Sequence, residues 1–113
     1  MKAFLKAASE CIETGDLCAA HCARELADGN TEMGRCNVST QSMIAVCQAT
    51  MKLVALGSPQ AKKMVELCAA ACKECGDACA EHKPHFAHGM HLECKACMEA
   101  CETMQKACKD YLA

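Results

Sequence analysis

Small and apolar residues recur every three or four positions along almost the whole chain, with charged residues between them, which is the period of an amphipathic helix. Three interruptions divide this pattern. "ADGNT" at 27–31 offers Gly29 as a residue just past a helix end, with Asn30 or Thr31 to cap the next helix. "LGSPQ" at 56–60 offers Gly57 in the same role, Ser58 as N-cap and Pro59 at a first helical position. "HKPHF" at 82–86 carries Pro84, which is expected to stop the preceding helix. The pattern therefore predicts helices over roughly 3–27, 32–56, 59–82 and 86–111, each ~35 Å long. Short links make sequence neighbours antiparallel. The expected fold is all-α, an up-down-up-down four-helix bundle forming one domain over 1–113.

The residues on the inner stripes are unusual. With Cys68 as origin and 100° per residue, Cys72, Cys75 and Cys79 fall at about +40°, −20° and +20°. Cys94, Cys97, Cys101 and Cys108 share a stripe about 60° wide on the last helix, and Cys11, Cys18 and Cys22 one about 40° wide on the first. Cys36 and Cys47 stand eleven residues apart, close to a whole number of turns. Such stripes ordinarily hold Leu, Ile and Val. Here Leu5, Ile12, Leu17, Leu26, Ile44, Val46, Leu53 and Leu67 flank the stripes or lie off them, and the charged residues mostly face away. The sequence predicts a bundle with a core lined by sulfur.

Composition sharpens this reading. Thirteen of 113 residues are cysteine. One or two buried cysteines are ordinary small hydrophobes, but thirteen on four aligned stripes sacrifice packing for another purpose. Thirteen is odd, so complete pairing within the chain is impossible, and i,i+4 neighbours on a helix are strained for disulfide closure. The net charge of −2 gives no case for nucleic acid or an acidic membrane surface. The most apolar stretch, "SMIAVCQATMKLVALG", is too short to cross a bilayer. The first residues, "MKAFLKAASECIE", lack a secretory apolar core. No cysteine stands apart in an electropositive cleft, which argues against a thiol enzyme.

An all-thiolate interior selects a soft ion: Cu(I), zinc or an iron–sulfur cluster. Structural zinc sites are closed four-ligand clusters, and ferredoxin clusters use a C-x2-C-x2-C-x3-C-P run. The run here is C-x3-C-x2-C-x3-C on a helix, a continuous ladder suited to a chain of Cu(I) ions. Thirteen buried thiolates without counter-ions are untenable, so the empty protein holds neutral thiols, and one Cu(I) per displaced proton keeps the core neutral. Charge balance predicts about thirteen Cu(I) per chain, which is storage stoichiometry. General sequestration of zinc or cadmium, and a thiol redox role, are the alternatives.

All five histidines fall toward one end. The topology gathers His21, Met33, His82, His85, His88, Met90 and His91 beside Cys22, Cys36, Cys79 and Cys94. His82 is read as continuing the third stripe, Met90 as continuing the fourth, and His91 as its edge. These weaker ligands suit a mouth through which Cu(I) passes inward. Met43 faces inward near the middle, as ligand or as packing.

With "CAAACKECGDAC" in helix three and "HLECKACMEAC" in helix four, the chain resembles the bacterial copper storage proteins over its whole length. The resemblance implies Cu(I) held in a preformed bundle, mainly by Cys pairs, with His and Met near one open end. It also implies a homotetramer, with a copper donor or acceptor protein as a possible partner. Thirteen cysteines and a Met-containing core look more like the exported branch of that family; the expected location is the cytoplasm if the chain is complete, and exported or periplasmic if a leader has been removed.

Overall fold

A computed structural model describes residues 1–113. Helix α1 runs over Lys2–Ala27, α2 over Gly34–Ala55, α3 over Ala61–Ala80, α4 over Lys83–Phe86 and α5 over Leu92–Leu112, with one turn of 3-10 helix at Thr31–Met33 leading into α2. The long helices form a closed ring in which α1 packs on α2, α2 on α3, α3 on α5 and α5 on α1. This is the antiparallel four-helix bundle, 44 × 23 × 18 Å.

All three turns contain a glycine at positive φ, the third being Gly89 (φ 72°) after α4. Gly29 (φ 92°) and Gly57 (φ 64°) sit just beyond α1 and α2. Asn30 N–H donates to Glu25 C=O and Gly29 N–H to Leu26 C=O; Ser58 and Gly57 repeat this with Leu53 and Val54. Both are Schellman closures, which satisfy carbonyls the helix end leaves open.

The next helix starts differ from expectation. Neither Asn30 nor Thr31 makes a side-chain cap; Asn30 Nδ2 instead donates to Glu25 Oε2 at 2.8 Å. Ser58 accepts from Gln60 N–H at 3.1 Å, so it caps a tight turn holding Pro59, and α3 begins only at Ala61. Pro84 does not end α3, which stops at Ala80; Pro84 lies in the first turn of the short α4, where its missing N–H costs nothing. The last long helix therefore starts at Leu92 rather than near residue 86. Its N-cap, His91, has φ 54°, a left-handed conformation that non-glycine residues rarely adopt.

The core has two parts. At the end built from the start of α1 and the end of α5, Phe4, Val54, Val65 and Met104 are buried, and Phe4 packs against Tyr111 with tilted rings whose centroids are 5.3 Å apart. This is a carbon plug. Along the rest of the axis the buried side chains are mostly cysteines, and no leucine or isoleucine in the chain is fully buried. Gly15 lets α1 and α2 approach, since a Cβ there would stand 2.9 Å from both Ile44 Cγ1 and Met43 Cε. A Gly-to-Ala change in a helix ordinarily gains about 1 kcal/mol. Here Gly15→Val should instead cost about 1–3 kcal/mol by wedging the helices apart, read as a lower melting temperature with unchanged helical content at low temperature.

Candidate metal centre

Each long helix contributes one stripe, and the ring closes the four stripes around a common axis. All thirteen cysteines are buried and none is disulfide-bonded. Their sulfur atoms form a continuous network. Nearest the His-bearing end, Cys18 Sγ lies 3.7 Å from both Cys36 and Cys94 and 4.0 Å from Cys22. Cys36 lies 3.4 Å from Cys79. Midway, Cys75 is 3.7 Å from Cys97. Deeper, Cys11 is 3.9 Å from Cys101, and Cys47 is 3.4 Å from Cys68 and 3.8 Å from Cys72. Sulfurs at these separations are in contact but unbonded, and metal–thiolate bonds of ~2.3 Å would span them.

The network contains sets whose ligand atoms all lie within 4.8 Å of one another: Cys18, Cys22, Cys36 and Cys94; Cys11, Cys72 and Cys101; Cys18, Cys79 and Cys97; Cys47, Cys68 and Cys72; Cys75, Cys97 and Cys101. Neighbouring sets share members, so an ion in one set would share a sulfur with an ion in the next. Cys108 is fully buried at the far end, one turn past Met104 on α5.

Two non-cysteine groups belong to this interior. Met43 Sδ lies 3.5 Å from Cys11 Sγ and 3.6 Å from Cys47 Sγ, which puts its thioether inside the thiol network. Thr40 is fully buried, with its hydroxyl 3.3 Å from Cys75 Sγ.

The thiols hold their protons unequally. Cys101 is pushed above the ordinary thiol value by hydrogen bonds with Cys11, Cys72 and Cys75, and by burial. Cys79 is raised by Cys18, Cys36 and Cys75, Cys47 by Cys11, Cys68 and Cys72, and Cys108 by Cys68 and burial. Cys22, Cys72, Cys94 and Cys97 are raised as well. The remaining five, Cys11, Cys18, Cys36, Cys68 and Cys75, are lowered.

At the opposite end from the carbon plug the ladder meets the histidines. His82 and His91 are buried, at 6% and 7% exposure. His91 is the hub: its ring centroid lies 5.1 Å from that of His21, 5.3 Å from His82 and 5.6 Å from His85. His21 Nε2 and His91 Nδ1 are 2.8 Å apart. Burial, reinforced by His21 and His82, lowers the pKa of His91, which favours a neutral imidazole with a free lone pair. Met33 is fully buried at the start of α2.

Met90 departs from expectation. It is 48% exposed in the turn before α5, because that helix starts too late to carry it onto the inner stripe. His88 is exposed in the same turn. Sequence reading passed over Glu25 and Glu93, which approach His91 Nδ1 and His21 Nδ1 at 3.6 Å each. The i,i+4 spacing of His21 and Glu25 was the available signal.

A family model described as copper storage protein matches residues 1–113. Among solved structures, the chain is similar to the Cu(I)-bound copper storage protein BsCsp3, with 26% identity, a TM-score of 0.85 and coverage of 99% of this chain and 97% of that one. It is similar to the copper storage protein Ccsp from Streptomyces lividans loaded with 10 copper equivalents, with 26% identity, a TM-score of 0.83 and coverage of 98% and 84%. A structure of copper loading to a cytosolic copper storage protein from Streptomyces lividans, with five coppers, matches at 26% identity and a TM-score of 0.65, covering 99% and 97%. No curated protein matches the chain. No helix is long and apolar enough to cross a membrane.

Proposed function

Because the chain belongs to the copper storage protein family, we propose that it stores Cu(I) along the axis of its bundle, on all thirteen cysteines, with Met43 as an interior thioether ligand. The observation that carries this reading is the shared-sulfur network. Thiolates that belong to two sets at once bridge adjacent ions, and a soft two- or three-coordinate cation suits them. Each Cu(I) replaces the proton of one thiol, so the filled core stays neutral. The protein is a single-domain store rather than an enzyme, and its role is to supply cuproenzymes or to keep copper from harmful chemistry.

Cu(I) enters at the end bearing His21, His82 and His91, with Met33 behind them and Met90 outside. The carbon plug leaves this end as the approach to the sulfur ladder. As one Streptomyces lividans relative is described as cytosolic, the reading assigns the store to the cytosol. Exposed Leu17, Val38, Leu56 and Leu67 leave apolar surface for the self-association that the family implies.

Anaerobic titration of the reduced protein with Cu(I), against a chromophoric Cu(I) competitor, tests this. Uptake of about thirteen ions per chain, with about one proton released per ion, is expected. His82→Ala and His91→Ala should slow loading in stopped-flow. Saturation at one or two ions would refute the storage reading. The four mutually close thiols Cys18, Cys22, Cys36 and Cys94 also resemble a four-thiolate zinc site; Zn(II) displacing Cu(I) in the same titration would favour general soft-metal sequestration.

A further inference from the structure

The histidine end contains a second, chemically different set of ligands. His21 Nε2, His91 Nδ1 and Glu25 Oε1 form a triangle with sides of 2.8, 3.6 and 3.9 Å. Zinc–ligand bonds of ~2.0–2.1 Å in tetrahedral geometry put ligand atoms ~3.3 Å apart. The three observed sides bracket that value, so one ion fits the face with only small side-chain adjustment. A fourth position remains for water.

Three further features support the triangle. The other ring nitrogen of His21, Nδ1, faces Glu93 Oε2 at 3.6 Å, an arrangement of metal, imidazole and outer carboxylate in which the carboxylate fixes the orientation of the ring. His91 is held in a left-handed backbone conformation, φ 54°, and such a residue marks a functional constraint more often than chance. The side chains are also enclosed, with His21 15%, His91 6% and Glu25 22% exposed.

The ligand types decide the ion. Cu(I) is soft and gains little from a carboxylate oxygen, whereas two imidazoles and a carboxylate suit a borderline divalent cation. We propose that His21, His91 and Glu25 bind one divalent cation of the Zn(II) or Cu(II) class at the mouth of the bundle, with Glu93 positioning His21. The site uses His21 and His91 of the entrance rather than the thiols, and stands whether or not the thiols take up Cu(I).

The full-length reduced protein is first loaded with Cu(I) to just below its measured capacity, then titrated anaerobically with Co(II) as a spectroscopic stand-in. One Co(II) per chain is expected, with visible ligand-field bands and no sulfur-to-cobalt charge transfer. Glu25→Gln should weaken binding at least tenfold, and Glu93→Gln by about 10–100-fold. Zn(II) should displace the cobalt, and anomalous diffraction at the zinc edge should put a peak between His21 and His91. If Cu(I) fails to load, the titration is run on the metal-free protein, where the charge-transfer band separates thiol from imidazole binding. Absence of ligand-field bands, a sulfur charge-transfer signature alone, or cobalt binding unchanged in Glu25→Gln would each overturn the proposal.

Discussion

Taken to about pH 10 under reducing, anaerobic conditions, the metal-free protein should unfold. The sign follows from the raised thiols. Cys22, Cys47, Cys72, Cys79, Cys94, Cys97, Cys101 and Cys108 keep their protons in the folded state beyond the ordinary thiol range. In the unfolded chain the same groups ionise near pH 8.5. Their contribution is therefore complete below that pH and lost as pH rises above it. Each raised group removes ~1.4 kcal/mol per pH unit. Acting on several thiols at once, this loss over one or two pH units is comparable to the whole stability of a small domain. Far-ultraviolet circular dichroism against pH measures this. A metal-free bundle still helical about two units above the thiol range would mean that the thiols ionise in place.

Cu(I) loading should have the opposite effect, and at least as large. A ligand at 100 times its Kd adds ~2.7 kcal/mol per site when it binds only the folded state. A few such ions exceed ~10 kcal/mol. At about 4 °C per kcal/mol, the melting temperature rises by tens of degrees. Loading also replaces the thiol protons, so the alkaline transition should vanish from the loaded form. Calorimetry with and without a strong Cu(I) chelator measures both effects. A loaded protein melting within a few degrees of the metal-free one would show that the ions sit outside the folded core.

Both effects arise from what the core lacks. Its fully buried side chains are cysteine, methionine, alanine, valine and threonine rather than leucine and isoleucine. Little carbon is removed from water, so the metal-free bundle has a modest hydrophobic reserve.

Much of this was legible in the sequence. Helical periodicity alone aligned the thirteen cysteines, because angle along a helix depends only on spacing. The two glycine turns were legible because positive φ is costly for other residues. The start of the last helix was not. Pro84 reads as a terminator, yet it is equally suited to the first turn of a helix, and only the structure distinguishes the two. That difference moved Met90 off the inner face and brought His91 to the N-cap. Glu25 and Glu93 were passed over because an acidic residue on a helix near a turn usually faces water. Their pairing with histidines joins α1 to α5, positions remote in sequence.

The carbon plug gives the bundle the form of a well with one opening. Ions that enter a narrow well in single file leave in reverse order. Copper beside Cys36 and Cys94 would then turn over freely with the surroundings, while copper near Cys68 and Cys108 stays until everything above it has gone. One chain would thus hold a current account near its mouth and a long-term reserve at its floor, distinguished by depth rather than by ligand type.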